Sequence, residues 1–141
     1  MKKIYTISIV LSFVVFLGCS KDFLKKYDKR IIGTWEIADV NRVGLGGNID
    51  NLPFRDGTFI FNEDGSLQYI NTSGDVYEGH WDITKKIINE ETLRSLEITA
   101  IDFTSQRVFT ESYDDMNFVG TDHFKANINS GFHAYVTHFR R

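Results

Sequence analysis

The chain has 141 residues, 42% of them hydrophobic, 14% aromatic and 25% charged, with one cysteine, one proline and a formal net charge of −3. One cysteine excludes an intramolecular disulfide and a cysteine zinc site, and the length suits one domain. The aromatic content argues against a disordered chain, and the acidic balance argues against a nucleic-acid binder.

Residues 1–18 read as an export leader. Lys2 and Lys3 form a short basic start, and 4–17 is an uncharged, mostly apolar run. At 1.5 Å per residue, a helix of that length falls short of the ~30 Å hydrocarbon core of a membrane. It fits the apolar region of a secretory leader. The run ends in Phe16-Leu17-Gly18-Cys19 and turns polar at Ser20-Lys21-Asp22.

This junction resembles the lipobox of bacterial lipoproteins. Gly18 and Cys19 match it, and Phe16 stands where Leu is usual. The resemblance implies a lipid on the Cys19 sulfur, of the palmitate type, and cleavage before Cys19. Two lipid signals already anchor a protein stably, at ~0.8 kcal/mol per buried CH₂. The expected location is the cell envelope, at the outer membrane. Loss of Lys2 and Lys3 leaves 14 basic against 19 acidic side chains. Residues 19–30 then form a basic, lipid-anchored tether, with room for a short helix over 23–29.

From residue 31 onward, short runs of β-branched and aromatic residues alternate with Gly, Asn, Asp and Ser clusters. No stretch keeps a 3.6-residue apolar period, so the domain over 31–141 is all-β. The expected strands are 31–40, 57–62, 66–71, 76–83, 93–103, 106–114, 118–128 and 132–140, with one long bent strand within 106–128 as the alternative to the break after 114. Asn62-Glu63-Asp64-Gly65 is a strong hairpin turn. Pro53 falls in a loop, the charged segment 84–92 is expected to be a loop or short helical turn, and Asp114-Asp115 marks a turn or bulge.

Alternation assigns faces. Trp35 and Ile37 share one, as do Phe59 and Phe61, and Leu67 and Tyr69. Tyr77, Trp81 and Ile83 share another, as do Leu96, Ile98 and Ala100, and Phe124, Ala126 and Ile128. The last strand carries aromatic and polar residues on both faces. Eight strands joined by tight turns suggest an antiparallel up-and-down barrel, which removes unpaired edges. A two-sheet sandwich is the alternative.

Gly33-Thr34-Trp35 at the start of the first strand resembles the Gly-x-Trp motif of lipocalins. Thr121-Asp122-His123 is similar to that family's Thr-Asp-Tyr signature. The long connection 41–56, with Gly44, Gly46 and Gly47, looks like its lid loop. The whole pattern resembles the small lipocalin-like lipoproteins of Bacteroidota. The resemblance implies an eight-stranded barrel with an arginine from the last strand packing over the Trp35 ring at its closed base; Arg140 and Arg141 both end the chain in the right place for that role, and Gly33, Trp35 and Arg140 are taken as the base. It also implies that a small apolar or amphipathic ligand is bound or sequestered. Its candidate lining is Ile37, Phe59, Phe61, Tyr69, Tyr77, Trp81, Ile98 and Phe124. The same aromatics also suit the packed interior of a small barrel.

Catalytic signals are sparse. None of His80, His123, His133 and His138 forms an i, i+2 pair on one strand face, and no metal site is expected. Adjacent carboxylates such as Glu63-Asp64 and Glu90-Glu91 point to opposite faces and cannot readily share a proton. Gly44-Leu45-Gly46-Gly47 lacks the Lys-Ser/Thr and helix of a phosphate cradle. The reading is a non-enzymatic, cofactor-free binding lipoprotein. The alternative is a structural or interaction lipoprotein of an envelope complex. A Cys19→Ser chain expressed in its host is expected to take up no radiolabelled palmitate; undiminished labelling would refute the anchor.

Overall fold

The structure is a computed structural model that describes residues 26–44, 48–88, 90–130 and 132–141. The leader, Cys19, most of the tether, the glycines Gly46 and Gly47 and the turn residue Gly131 lie outside the described residues. A one-turn helix, α1 (Tyr27–Ile31), leads into eight strands: β1 (Gly33–Val43), β2 (Thr58–Phe61), β3 (Ser66–Ile70), β4 (Val76–Ile88), β5 (Glu91–Asp102), β6 (Arg107–Val119), β7 (His123–Ser130) and β8 (His133–Arg140). Each pairs antiparallel with its sequence neighbour, and β8 pairs back onto β1. The sheet is therefore a closed up-and-down barrel of the lipocalin-like kind, not a sandwich.

Cross-strand partners share a face, so register fixes what points inward. Trp35 faces Phe59, Phe59 faces Tyr69, and Tyr69 faces Tyr77. Trp81 faces Ile98, Leu96 faces Tyr113, and Phe124 faces Phe139. All of these are buried. The face of β8, open in the sequence, is settled: Tyr135, Thr137 and Phe139 point inward.

Two bulges keep the inward pattern apolar. In β6 the register shifts between Asp114 and Asn117, and Asp115 takes a φ of 50°. Strict alternation from Tyr113 would turn Asp115 and Asn117 inward. The extra residue instead presents Met116, which is buried, and Phe118, which packs on the core. Asp114 pins this bulge on the outer face. It accepts hydrogen bonds from Ser95 Oγ at 2.7 Å, Asn129 Nδ2 at 3.2 Å and Lys86 Nζ at 3.3 Å. Partial burial pushes its carboxyl up, but these hydrogen bonds outweigh that and hold it below the ordinary carboxylate range. A second shift, between Ile37 and Asp39, brings Val40 inward in β1.

Three sequence expectations need correction. The break expected between 114 and 118 is the β6 bulge, and the true turn is Gly120-Thr121-Asp122. The segment 84–92 is no loop. It is the paired end of the β4–β5 hairpin, with Lys85 opposite Arg94 and Ile87 opposite Thr92. The first strand starts at Gly33 rather than residue 31 and runs on to Val43, because Ile31 belongs to α1.

Gly79 sets how closely β4 and β5 approach. A Cβ there would lie 1.8 Å from the Thr99 carbonyl oxygen and 2.8 Å from the Ala100 Cα. Both are backbone atoms that cannot step aside singly. Glycine at a sharply curved barrel wall meets that demand. Gly79→Ala is expected to destabilise the barrel by about 3 kcal/mol, a fall of roughly 10 °C in the unfolding midpoint, measured by circular dichroism.

Candidate functional site at the barrel mouth

The barrel has a sealed base and a plugged mouth. At the base, α1 lies across the opening, with Ile31 fully buried and Tyr27 edge-on to Phe118 at 5.2 Å. Trp35 is fully buried above it, and its indole Nε1 donates to the Ile31 carbonyl at 2.6 Å. Gly33 takes a φ of 121°, which few other residues adopt, as the chain turns from α1 into β1.

The arginine over Trp35 is Arg141, not Arg140. Its guanidinium lies 4.3 Å from the ring centroid and donates to the Arg30 and Ile32 carbonyls, each at 2.7 Å. Alternation explains the difference. Phe139 points inward, so Arg140 points outward, where it pairs with Glu36 at 3.6 Å on the surface. Arg141 lies past the strand and is free of its pleat. Thr121-Asp122-His123 also sits at this end. The Asp122 carbonyl accepts from the Arg141 backbone N–H at 2.9 Å, and its carboxylate lies 2.9 Å from His123 Nδ1.

The expected lining residues do converge inside the barrel, but on one another. Phe124 stacks on Phe139 with centroids 4.2 Å apart, and Trp35 meets Phe124 edge-on at 4.8 Å. Phe59 stacks on Phe61 at 5.8 Å and meets Tyr69 at 4.7 Å. Tyr77 lies 5.4 Å from Tyr69, and Phe61 meets Trp81 edge-on at 5.8 Å. Ile98 is fully buried beside them, and Ile37 packs partly buried against the cluster. The interior is thus filled with rings, and Tyr69 and Tyr77 carry them up to the mouth.

The mouth is covered by loop residues 48–57, which carry a short 3₁₀ turn, Ile49–Asn51. From this loop Phe54 drops inside and becomes fully buried, meeting Tyr69 at 4.9 Å and Phe59 at 5.5 Å. Leu52 follows it in. Tyr69 fastens the loop, its hydroxyl donating to the Asp56 carbonyl at 2.9 Å. Outside the plug, a cleft of about 280 Å³ runs between Arg55, Asn71, Ser73 and Phe109. A larger groove of about 750 Å³ lies outside the base, between Tyr27, Asp64, Trp81 and Arg94.

Polar groups sit beneath the plug on the inner wall. Tyr113 and Thr137 are fully buried, and among the described residues neither hydroxyl has a hydrogen-bond partner. Such a group costs about 1–3 kcal/mol relative to a satisfied one. Glu111 faces Ile98 across the β5–β6 ladder, so it too points inward. Its carboxylate accepts the Ser112 backbone N–H at 3.1 Å. Burial pushes its carboxyl up and the nearby Asp114 charge adds to this, against the lowering effect of that hydrogen bond. Burial also raises the Tyr113 hydroxyl well above its ordinary range, helped by Glu111 and Tyr69.

Phe54, Glu111, Tyr113 and Thr137 were not singled out from the sequence. Phe54 lies in a loop beyond the reach of any period. Glu111 and Tyr113 flank Ser112 in a segment whose alternation is readable, which was the available signal. Among the described residues, no three His, Cys, Asp or Glu side chains cluster as a metal site would require. Comparison with protein families, with curated proteins and with solved structures finds no match to this chain.

The base geometry gives a direct test. Arg141→Ala removes the ring contact and both carbonyl bonds and is expected to lower the unfolding midpoint by about 5 °C. Arg140→Ala, which loses one exposed ion pair, is expected to shift it by about 1 °C. Equal shifts in calorimetry would contradict the assignment of the base to Arg141.

Proposed function

We propose that this protein is a membrane-tethered binding lipoprotein of the lipocalin-like kind, which takes up a small amphipathic ligand through the mouth of its barrel. The observation that carries this reading is the pair of buried, unpartnered hydroxyls of Tyr113 and Thr137 beneath a loop-borne plug. A barrel interior built for packing alone has no use for them. The ring-filled interior supports a shallow site, so the ligand lies at the mouth, between the aromatic stack and loop residues 48–57. Phe54 has to swing out for entry. The lipid on Cys19, as the leader implies, keeps the barrel at the envelope surface. No catalysis or cofactor is part of this function.

A second reading is an interaction module of an envelope complex. Exposed apolar side chains ring the mouth: Phe132 is 104% exposed, Phe103 68%, Val108 60% and Val43 53%. Two aromatic tips on neighbouring turns suit a protein partner better than a shielded pocket does.

Titration with an apolar fluorescent probe tests the preferred reading. Wild-type protein is expected to bind it with a micromolar dissociation constant, and Phe54→Ala to take it up at least tenfold faster in stopped flow. Extracts of the protein purified from its host are expected to release a small amphipathic molecule in mass spectrometry. No probe binding by either protein, with a stoichiometric protein partner in the extracts, would favour the second reading.

A further inference from the structure

We propose that Glu111 and Tyr113 form the head-group site of the mouth, and that the ligand they take is an amphipathic amine, its protonated nitrogen held by the Glu111 carboxylate. This inference rests on the mouth-binding reading above and adds the ligand's chemistry to it.

The geometry comes from β6. Glu111 and Tyr113 are two residues apart, so they share the inner face at ~7 Å spacing along the strand. Their partners on β5, Ile98 and Leu96, are both fully buried, which fixes that face as the interior. Glu111 is the more mouthward of the two. It is half-buried, and among the described residues no cation pairs with its carboxylate. Its hydrogen bond comes from the neighbouring backbone, and the charge that acts on it is the acidic Asp114.

A carboxylate in an apolar wall needs a donor, preferably a cationic one. Among the described residues the wall around it offers the Ser112 backbone N–H and no cation, and a ligand ammonium entering past Phe54 supplies one. Tyr113 adds a hydroxyl able to accept a second ammonium hydrogen. Thr137, one inner position below Tyr135 on β8, presents another hydroxyl deeper in. The apolar body of the ligand has small or aliphatic neighbours: Val40, Ala100, Ala126 and Ile128 are all buried on the same inner surface. An anionic head meets Glu111 as a like charge. Arg42, opposite Tyr135, stands further out at the rim.

The test compares three probes of one chain length, dodecylammonium, dodecanol and dodecanoate, in displacing the apolar fluorophore from the purified protein. The amine is expected to displace it at a concentration at least tenfold lower than the alcohol or the acid. Glu111→Gln, of the same shape, is expected to bring amine and alcohol within twofold while dodecanol affinity stays unchanged. Tyr113→Phe is expected to weaken the amine about threefold. Equal displacement by all three probes, or a preference for dodecanoate, overturns the amine assignment and leaves mouth binding intact. An amine preference that survives in Glu111→Gln overturns the role of Glu111. A wild-type protein that binds no fluorophore and none of the three removes the mouth-binding reading and this inference with it. The wild-type comparison needs no variant to fold.

Discussion

Hydrogen bonding between β8 and β1 is the contact on which the rest of the molecule depends. It closes the sheet, removes both edges and turns a meander into a container of fixed bore. An eight-stranded barrel is just wide enough for side chains from opposite walls to meet. Each inward position therefore answers to residues far away in sequence. Phe59 on β2 touches Phe139 on β8 at 5.9 Å, and Tyr113 on β6 touches the same Phe139 at 5.3 Å. The bulges in β1 and β6 follow from the same demand. Closure sets where each strand runs, and an extra residue is the local means of keeping acids out of the interior and Met116 and Val40 in it.

Much of this was legible in the chain. Alternation identified the inward faces of β2, β3, β4, β5 and β7, because a one-sided burial leaves a period of two. It failed where burial is not one-sided. The end of the β4–β5 hairpin, around Lys85, Lys86 and Ile87, projects past the packed wall, and Ile87 is 77% exposed. With no buried face there is no period, and its charges read as a loop. At Asp114 the opposite happens: the strand is continuous but its period slips, so an unbroken element looks like two. Arg140 and Arg141 both suited the place over Trp35 in the sequence, and only the inward side chain of Phe139, which turns Arg140 outward, separates them. Phe54 was invisible because a plug is a long-range event. Its burial depends on Tyr69 and Phe59 being brought beneath a loop whose own sequence carries no periodicity.

The two ends of the barrel are built on different principles. The base is held by directional bonds, with Trp35 donating to Ile31, Arg141 clamping the Arg30 and Ile32 carbonyls, and Arg30 reaching the Gly120 carbonyl while lying 4.2 Å over Phe118. Lys29 also pairs with Glu63 across the β2–β3 turn. The mouth is held mainly by one aromatic ring in van der Waals contact and by the Tyr69–Asp56 bond. Opening the base would break several interactions that fit one geometry only. Opening the mouth swings a single loop, and the exposed ion pair between Arg55 and Asp50 travels within it. The asymmetry makes the base the rigid end of the barrel and the mouth the end that can open, as the proposed function requires.

The interior changes character along the same axis. Rings fill the base half, where Trp35, Phe59, Phe61, Phe124 and Phe139 satisfy each other without a polar atom left over except the bonded indole nitrogen. Toward the mouth, the rings of Phe54, Tyr69, Tyr77 and Tyr135 share the inner surface with small, aliphatic and polar side chains. An aliphatic side chain at position 111 would cover Ile98 without removing a carboxylate from water, and Phe at position 113 would keep the contact with Phe139 without an orphaned hydroxyl. Either change lowers the cost of folding on desolvation grounds alone. The polar groups therefore add nothing to the barrel's packing, and under the binding function proposed above their value comes from an occupant that supplies the missing hydrogen bonds. The occupant also displaces Phe54, so its apolar body has to replace the contacts that ring makes with Tyr69 and Phe59. A ligand with a polar head alone would satisfy the hydroxyls and leave the plug's place empty. The wall and the plug together thus define an amphipathic molecule, with its head deep and its apolar part toward the lid.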